Sequence, residues 1–97
     1  MLYTVNKSPL MFGNLKSLLR IAPKGEPILL YEDGVYAAAA GAASEDLLKE
    51  ALSHHPVYAL QADLEARGLT KLVEGVQVVD YDGFVGLVEQ HHVVPWL

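Results

Sequence analysis

The spacing of apolar residues along the chain changes several times, and each change marks the boundary of a predicted element. Short apolar runs that are typical of strands lie at 2–5, 27–31, 57–60, 76–79 and 93–94. The run at 27–31 is almost uninterrupted, which is typical of a strand covered on both faces of a parallel sheet. The sequence therefore predicts five strands.

Between these runs the apolar residues recur at helical spacing. A first stripe begins at Phe12 and continues to Ala22, and Pro23 ends it. The segment 35–43 is rich in alanine, the strongest helix former, and predicts a second helix. Further helices are predicted after Ser44 and in the two segments 62–67 and 81–88.

Strands that alternate with helices through short connections form an open, mostly parallel sheet with helices on both faces. The chain contains no internal repeat, low-complexity segment or interdomain linker. Its 97 residues are enough for one hydrophobic core. We therefore predict a single small α/β domain over residues 1–97.

The composition excludes several classes of protein. No apolar run approaches the roughly 18–20 residues of a membrane span, and the first residues lack the pattern of a secretory signal. We expect a cytoplasmic protein that does not contact membranes. The sequence contains no cysteine, so this chain has no thiol that could carry sulfur and no thiolate that could bind a metal.

The net charge is −5, and the charged residues are distributed unevenly along the chain. Residues 1–25 contain four basic and no acidic side chains, whereas residues 26–97 contain three basic and twelve acidic ones. The acidic total argues against nucleic-acid binding by this chain alone. Two interpretations of the basic quarter stay open, namely a solvated helix face and a docking surface for an acidic protein or an RNA.

Two segments that combine acids with glycine follow predicted strands, where α/β proteins commonly hold ligands. The first is Glu32-Asp33-Gly34, and the second surrounds Asp80. A catalytic carboxylate pair is one interpretation of the first segment, but neighbouring side chains in a turn generally point apart. We therefore interpret Asp33 and Asp80 as helix caps and Gly34 as the residue of a tight turn, and we assign no catalytic residue.

No cofactor or metal site is predicted. The phosphate-binding patterns GxGxxG and GxxxxGK[ST] are absent, and the two acids before Gly34 would repel phosphate. The four histidines form the adjacent pairs 54–55 and 91–92, whereas helical metal ligands lie four positions apart. Both pairs lie at predicted helix ends, where the helix dipole favours a partly protonated imidazole.

Three aromatic residues, Tyr36, Phe84 and Trp96, are candidate interface residues. Trp96 is the only tryptophan and precedes the last residue, so it either folds back onto the core or is held by a partner. The chain is 52% apolar, and a small domain buries only part of such a surface. We therefore expect the chain to self-associate when it is produced alone.

Five segments, in this order, carry a resemblance to a known family: LYTVNKSP at 2–9, LLYEDGVYAA at 29–38, VYALQADLEARGL at 57–69, VVDYDGFVGLV at 78–88 and the final PWL. Together they resemble the DsrH/TusB family over nearly the whole chain. The resemblance implies the fold of the DsrE, DsrF and DsrH proteins. It also implies a complex in which TusB-like, TusC-like and TusD-like subunits form a dimer of heterotrimers.

Complexes of this kind relay persulfide sulfur for the 2-thiolation of the wobble uridine in tRNA. The resemblance implies that the essential cysteine belongs to the TusD-like subunit, and that the DsrH branch can carry its own cysteine near the position of Leu18 here. The absence of cysteine favours a non-catalytic TusB-like subunit over a DsrH-like subunit of a sulfur-oxidation complex. The alternative is a stand-alone domain that binds a small ligand or acts as an enzyme through Asp33 or Asp80.

Overall fold

The computed structural model describes all 97 residues, and its five strands form one parallel sheet. The strands are β1 (Leu2–Val5), β2 (Ile28–Leu30), β3 (Val57–Leu60), β4 (Gln77–Val79) and β5 (Val93–Pro95). Their order across the sheet is β4-β3-β2-β1-β5, and every pairing is parallel. The predicted α/β class is confirmed, and each strand agrees with its prediction within one residue at either end.

Four α-helices and one 3₁₀ helix connect the strands. They are α1 (Asn14–Ile21), the 3₁₀ helix (Glu32–Ala38), α2 (Glu45–His54), α3 (Gln61–Ala66) and α4 (Tyr81–Gln90). None of these helices has the length and the apolar composition that crossing a bilayer requires.

The main hydrophobic core lies on one face of the sheet, against α1 and α2. Tyr3 of β1 points to this face and belongs to the same cluster as Leu18 of α1 and Leu48 of α2. Thr4 points to the opposite face, because successive residues of a strand alternate, and there it lines a cleft together with Phe84 of α4. Helices therefore lie on both faces of the sheet, as predicted.

The prediction of an alanine-rich helix at 35–43 is wrong. A 3₁₀ helix occupies the first part of this segment and ends at Ala38. The chain then pairs with a distant segment: the N–H of Ala40 donates to the carbonyl of Lys71, and the N–H of Val73 donates to the carbonyl of Ala38, both at 2.9 Å. These long-range contacts override the helix propensity of the alanines.

The inward stripe predicted for the first helix begins too early. Leu15 and Leu18 are buried as predicted, but α1 starts only at Asn14. Phe12 lies in the preceding loop and is exposed. Its backbone N–H donates to the carbonyl of Ser8, so residues 8–12 form a turn rather than a helical extension.

Candidate functional site

The turn Glu32-Asp33-Gly34 lies directly after β2, at the carboxyl edge of the sheet. A Cβ atom on Gly34 would lie 2.1 Å from the carbonyl oxygen of Val5 in β1, so no side chain fits there. Glu32 has a left-handed φ of 48°, and its N–H donates to the carboxylate of Asp63 at 2.7 Å. The turn is therefore fixed between β1 and α3 by close packing and by a hydrogen bond.

The helix cap predicted at Asp33 is absent, because no side chain caps the 3₁₀ helix. The Asp33 carboxylate instead accepts hydrogen bonds from Nε and Nη2 of Arg67, at 3.0 and 2.8 Å. These bonds raise the pKa of Arg67. The guanidinium also lies 5.9 Å from the ring centroid of Tyr36. Asp33 thus links the turn to the residue that follows α3. Sequence analysis could not find this contact, because the two residues lie 34 positions apart.

Asp80 lies at the N-cap of α4, where the sequence predicted a cap. Its carboxylate accepts a hydrogen bond from the N–H of Gly83 at 2.8 Å. This contact satisfies one of the free N–H groups in the first turn of the helix. Asp33 and Asp80 are each engaged in a contact of their own, so the structure does not bring them together as a pair of carboxylates.

The candidate interface residues Tyr36, Phe84 and Trp96 pack against different elements and do not form one patch. Trp96 folds back onto its own chain: its Nε1 donates to Ser17 Oγ at 3.0 Å, and its ring meets Tyr3 edge to face with centroids 6.2 Å apart. It packs against the main core. In the structure Trp96 therefore packs on the core of its own chain, which is the first of the two interpretations given above.

Phe84 lines an apolar cleft of about 360 Å³ between α4 and the second face of the sheet. The other residues that line the cleft are Thr4, Tyr31, Val88, Val93 and Pro95. No residue of α4 is fully buried, and Tyr81 and Val88 are exposed large apolar side chains on this helix. This face of the sheet is therefore covered much less completely than the face that carries the core.

A second apolar surface lies in the loop between β1 and α1. Leu10, Met11 and Phe12 are consecutive and are 52–76% exposed. The loop has a defined shape, because the carbonyl of Ser8 accepts from the N–H groups of Met11 and Phe12 and the Ser8 hydroxyl accepts from that of Leu10. Sequence analysis missed this surface, although an apolar triplet between Pro9 and Gly13 could have indicated a turn that displays its side chains.

No group of three or more histidine, aspartate or glutamate side chains could hold a metal ion. His55 is buried at the end of α2, and His54 is exposed beside it, with the two rings 6.5 Å apart. The pair at 91–92 follows the end of α4. The two pairs therefore occupy helix ends, where the sequence predicted them.

Comparison with known proteins shows which family the chain belongs to. A family model described as "DsrH like protein" matches residues 7–94. The chain belongs to the DsrH-like family. Among curated members, Protein TusB of Serratia proteamaculans is 46% identical over 94 residues, which is 94% of each chain. Protein TusB of Escherichia coli K12 is 39% identical, and that of Pectobacterium parmentieri is 38% identical, again with 94% of each chain covered.

Solved structures have the same fold as this DsrH-like chain. A protein of unknown function from Methanobacterium thermoautotrophicum has a TM-score of 0.71 at 19% identity, covering 97% of this chain and 96% of the other. The Thermotoga maritima protein Tm0979 has a TM-score of 0.62 at 23% identity, with 94% of each chain covered. At these identities the comparison establishes the fold alone.

Proposed function

We propose that this chain is a non-catalytic subunit of a sulfurtransferase complex that relays persulfide sulfur for the 2-thiolation of the wobble uridine in tRNA. Its partners would be TusC-like and TusD-like subunits, arranged as a dimer of heterotrimers. The proposed compartment is the cytoplasm. Membership in the DsrH-like family and the similarity to proteins named TusB support this assignment.

The observation that carries the non-catalytic part of the proposal is the absence of cysteine from the sequence. A persulfide requires a thiolate that attacks the sulfur donor and then holds the transferred sulfur. Neither Asp33 nor Asp80 substitutes for that thiolate, because a carboxylate has no sulfur with which to form a persulfide. The relayed sulfur therefore has to travel on cysteines of the partner subunits.

The apolar surfaces support assembly with partners. The loop at residues 10–12 displays three large apolar side chains in a fixed turn, and the cleft beside Phe84 leaves the second face of the sheet open. Exposed apolar patches of this kind mark interaction sites in soluble proteins. A loop that is already ordered loses little conformational entropy when it binds, which favours its use as a contact.

The test is a labelling experiment on the complex. The chain is co-expressed with its TusC-like and TusD-like relatives, and the purified proteins receive ³⁵S persulfide from a cysteine desulfurase. We expect all three chains to purify together and the label to reside on a partner. Covalent label on this chain would contradict the proposal. So would a stable monomer that does not bind the TusC-like and TusD-like proteins.

A matched pair of variants tests the contact itself. Met11→Asp places a charge on the exposed loop, and Ile21→Asp places the same charge on an exposed apolar residue at the other end of α1. We expect Met11→Asp to weaken co-purification by at least about tenfold, because the charge would be desolvated at the interface. Equal co-purification of the two variants would show that the loop is not part of the interface.

A further inference from the structure

Two exposed charges of opposite sign lie at helix ends where the helix dipole disfavours them. Lys16 lies in the first turn of α1, where the dipole favours an acid, and that turn contains no acidic residue. Glu89 lies in the last turn of α4, where the dipole favours a cation, and that turn contains no basic residue. Neither side chain belongs to any of the four ion pairs of the protein. Neither charge is therefore stabilised by its own helix or by an ion pair.

The charge of Lys16 borders the apolar loop at residues 10–12. Lys16 follows Phe12 by four residues. Lys7 precedes the loop, and its Nζ atom lies 5.5 Å from the ring centroid of Phe12. The segment 1–25 contains no acidic residue. The three exposed apolar side chains of the loop therefore have a basic border.

The charge of Glu89 borders the apolar cleft between α4 and the second face of the sheet. Glu89 directly follows Val88, which lines the cleft, and none of the lining residues is charged. Residues 72–97, which include α4 and β5, contain four acidic residues and no lysine or arginine. At about 360 Å³ the cleft is at the lower end of the size range of binding pockets, so it has room for one or two large side chains. The cleft is thus an apolar cavity with an acidic border, which complements the loop.

We propose that the apolar loop of one copy of this chain inserts into the apolar cleft of a second copy, with Lys16 of the first copy facing Glu89 of the second. Insertion removes the exposed side chains of the loop from water and covers the open face of the sheet. The opposite charges at the two borders favour this orientation of the copies over others. RNA fits the cleft less well, because its phosphates need cations and the border of the cleft is acidic.

This self-association goes beyond the proposed function and does not rest on it. Its tests use the isolated chain, whereas the sulfur-relay function is tested on the complex, so the failure of one is distinguishable from the failure of the other. In the proposed complex a TusC-like or TusD-like subunit would bind the loop in place of the second copy.

The first test measures the mass of the isolated chain by sedimentation equilibrium from micromolar to millimolar concentration. We expect the mean mass to rise above that of the monomer as the concentration increases. Met11→Asp should weaken the association at least about tenfold, because its charge would be buried in the apolar cleft. Ile21→Asp is the control and should change nothing, since Ile21 is an exposed apolar residue outside the loop. A monomer at all concentrations, or equal losses for the two variants, would overturn the proposal.

A mixing experiment tests the insertion of the loop into the cleft. Val88→Asp places a charge in the cleft and should weaken association as Met11→Asp does, and circular dichroism checks that both variants are folded. In a mixture, the intact cleft of the Met11→Asp chain meets the intact loop of the Val88→Asp chain. We therefore expect the mixture to associate more strongly than either variant alone. Two folded variants whose mixture associates no better than each one alone would contradict the proposal.

Reversal of the two charges separates association from folding. Lys16→Glu and Glu89→Lys each introduce the charge that the helix dipole favours, so each variant should melt at or above the temperature of the original chain. Each should nevertheless associate about threefold more weakly, because a pair of opposite charges becomes a pair of like charges. The double variant again has opposite charges at the two borders, and it should associate as strongly as the original chain. Losses that add up in the double variant would show that the two residues do not face each other and would refute the proposed contact.

Discussion

Replacement of Gly34 by alanine tests the packing that fixes the turn after β2. The added Cβ would lie 2.1 Å from the Val5 carbonyl oxygen and 2.9 Å from its carbon. Both are backbone atoms of the central part of the sheet, so no flexible side chain can move aside. The same Val5 oxygen accepts a hydrogen bond from the N–H of Tyr31 at 3.1 Å, and relief of the clash would stretch this bond.

The expected destabilisation combines two effects. Overpacking of a dense interior costs about 1–3 kcal/mol, and here backbone atoms must shift by roughly 1 Å. Loss of one backbone hydrogen bond adds about 1 kcal/mol. We therefore expect Gly34→Ala to lower the free energy of unfolding by about 3 kcal/mol. For a domain of this size that lowers Tm by roughly 12–24 °C.

Gly86→Ala is the matched control. Gly86 lies inside α4, and a Cβ there meets nothing within 4 Å. Alanine is the better helix former, so this variant should gain about 0.5–1 kcal/mol and melt a few degrees later. Circular dichroism melts and urea titrations of both variants measure the difference. Similar melting temperatures for Gly34→Ala and the original chain would refute the steric argument.

Three further predictions concern single side chains. Asp33→Asn should cost only about 0.5 kcal/mol in a urea titration, since Asp33 is 62% exposed and asparagine still accepts from Arg67; loss of tRNA thiolation with intact assembly would instead give Asp33 a chemical role. Hydrogen bonds from Gly41 and Lys49 lower the pKa of Glu45, so its contribution to stability is present above pH 4.5 and is lost as the pH falls through the lowered value. Glu45→Gln should therefore have a lower melting temperature than the original chain at pH 7, and the two melting temperatures should converge in acid. A difference in melting temperature that does not change with pH would contradict this. Trp96→Ala should lower stability by roughly 2–3 kcal/mol, at or below the range for a fully buried tryptophan, because Trp96 is only partly buried. The folded variant should still assemble with partners in size-exclusion runs, and loss of assembly at full stability would make Trp96 an interface residue.

The sequence by itself determined the class of fold and the limits of the chemistry. Apolar runs and helical periods located all five strands, because burial of a sheet between helices requires those patterns. The run at 27–31 predicted a strand covered on both faces, and all residues of β2 are buried. The absence of cysteine excluded a persulfide on this chain without any structure.

Only the tertiary structure decided how the turn and the exposed surfaces are built. The helix after Gly34 ends at Ala38 because Ala38 and Ala40 pair with residues 71–73, and Asp33 binds Arg67 rather than capping a helix. Local propensities differ by less than about 1 kcal/mol per residue, so contacts between distant segments overrule them. The tertiary structure also decides which apolar residues stay exposed, as in the loop at 10–12. Their exposure depends on whether distant parts of the chain cover them, and a local sequence pattern does not carry that information.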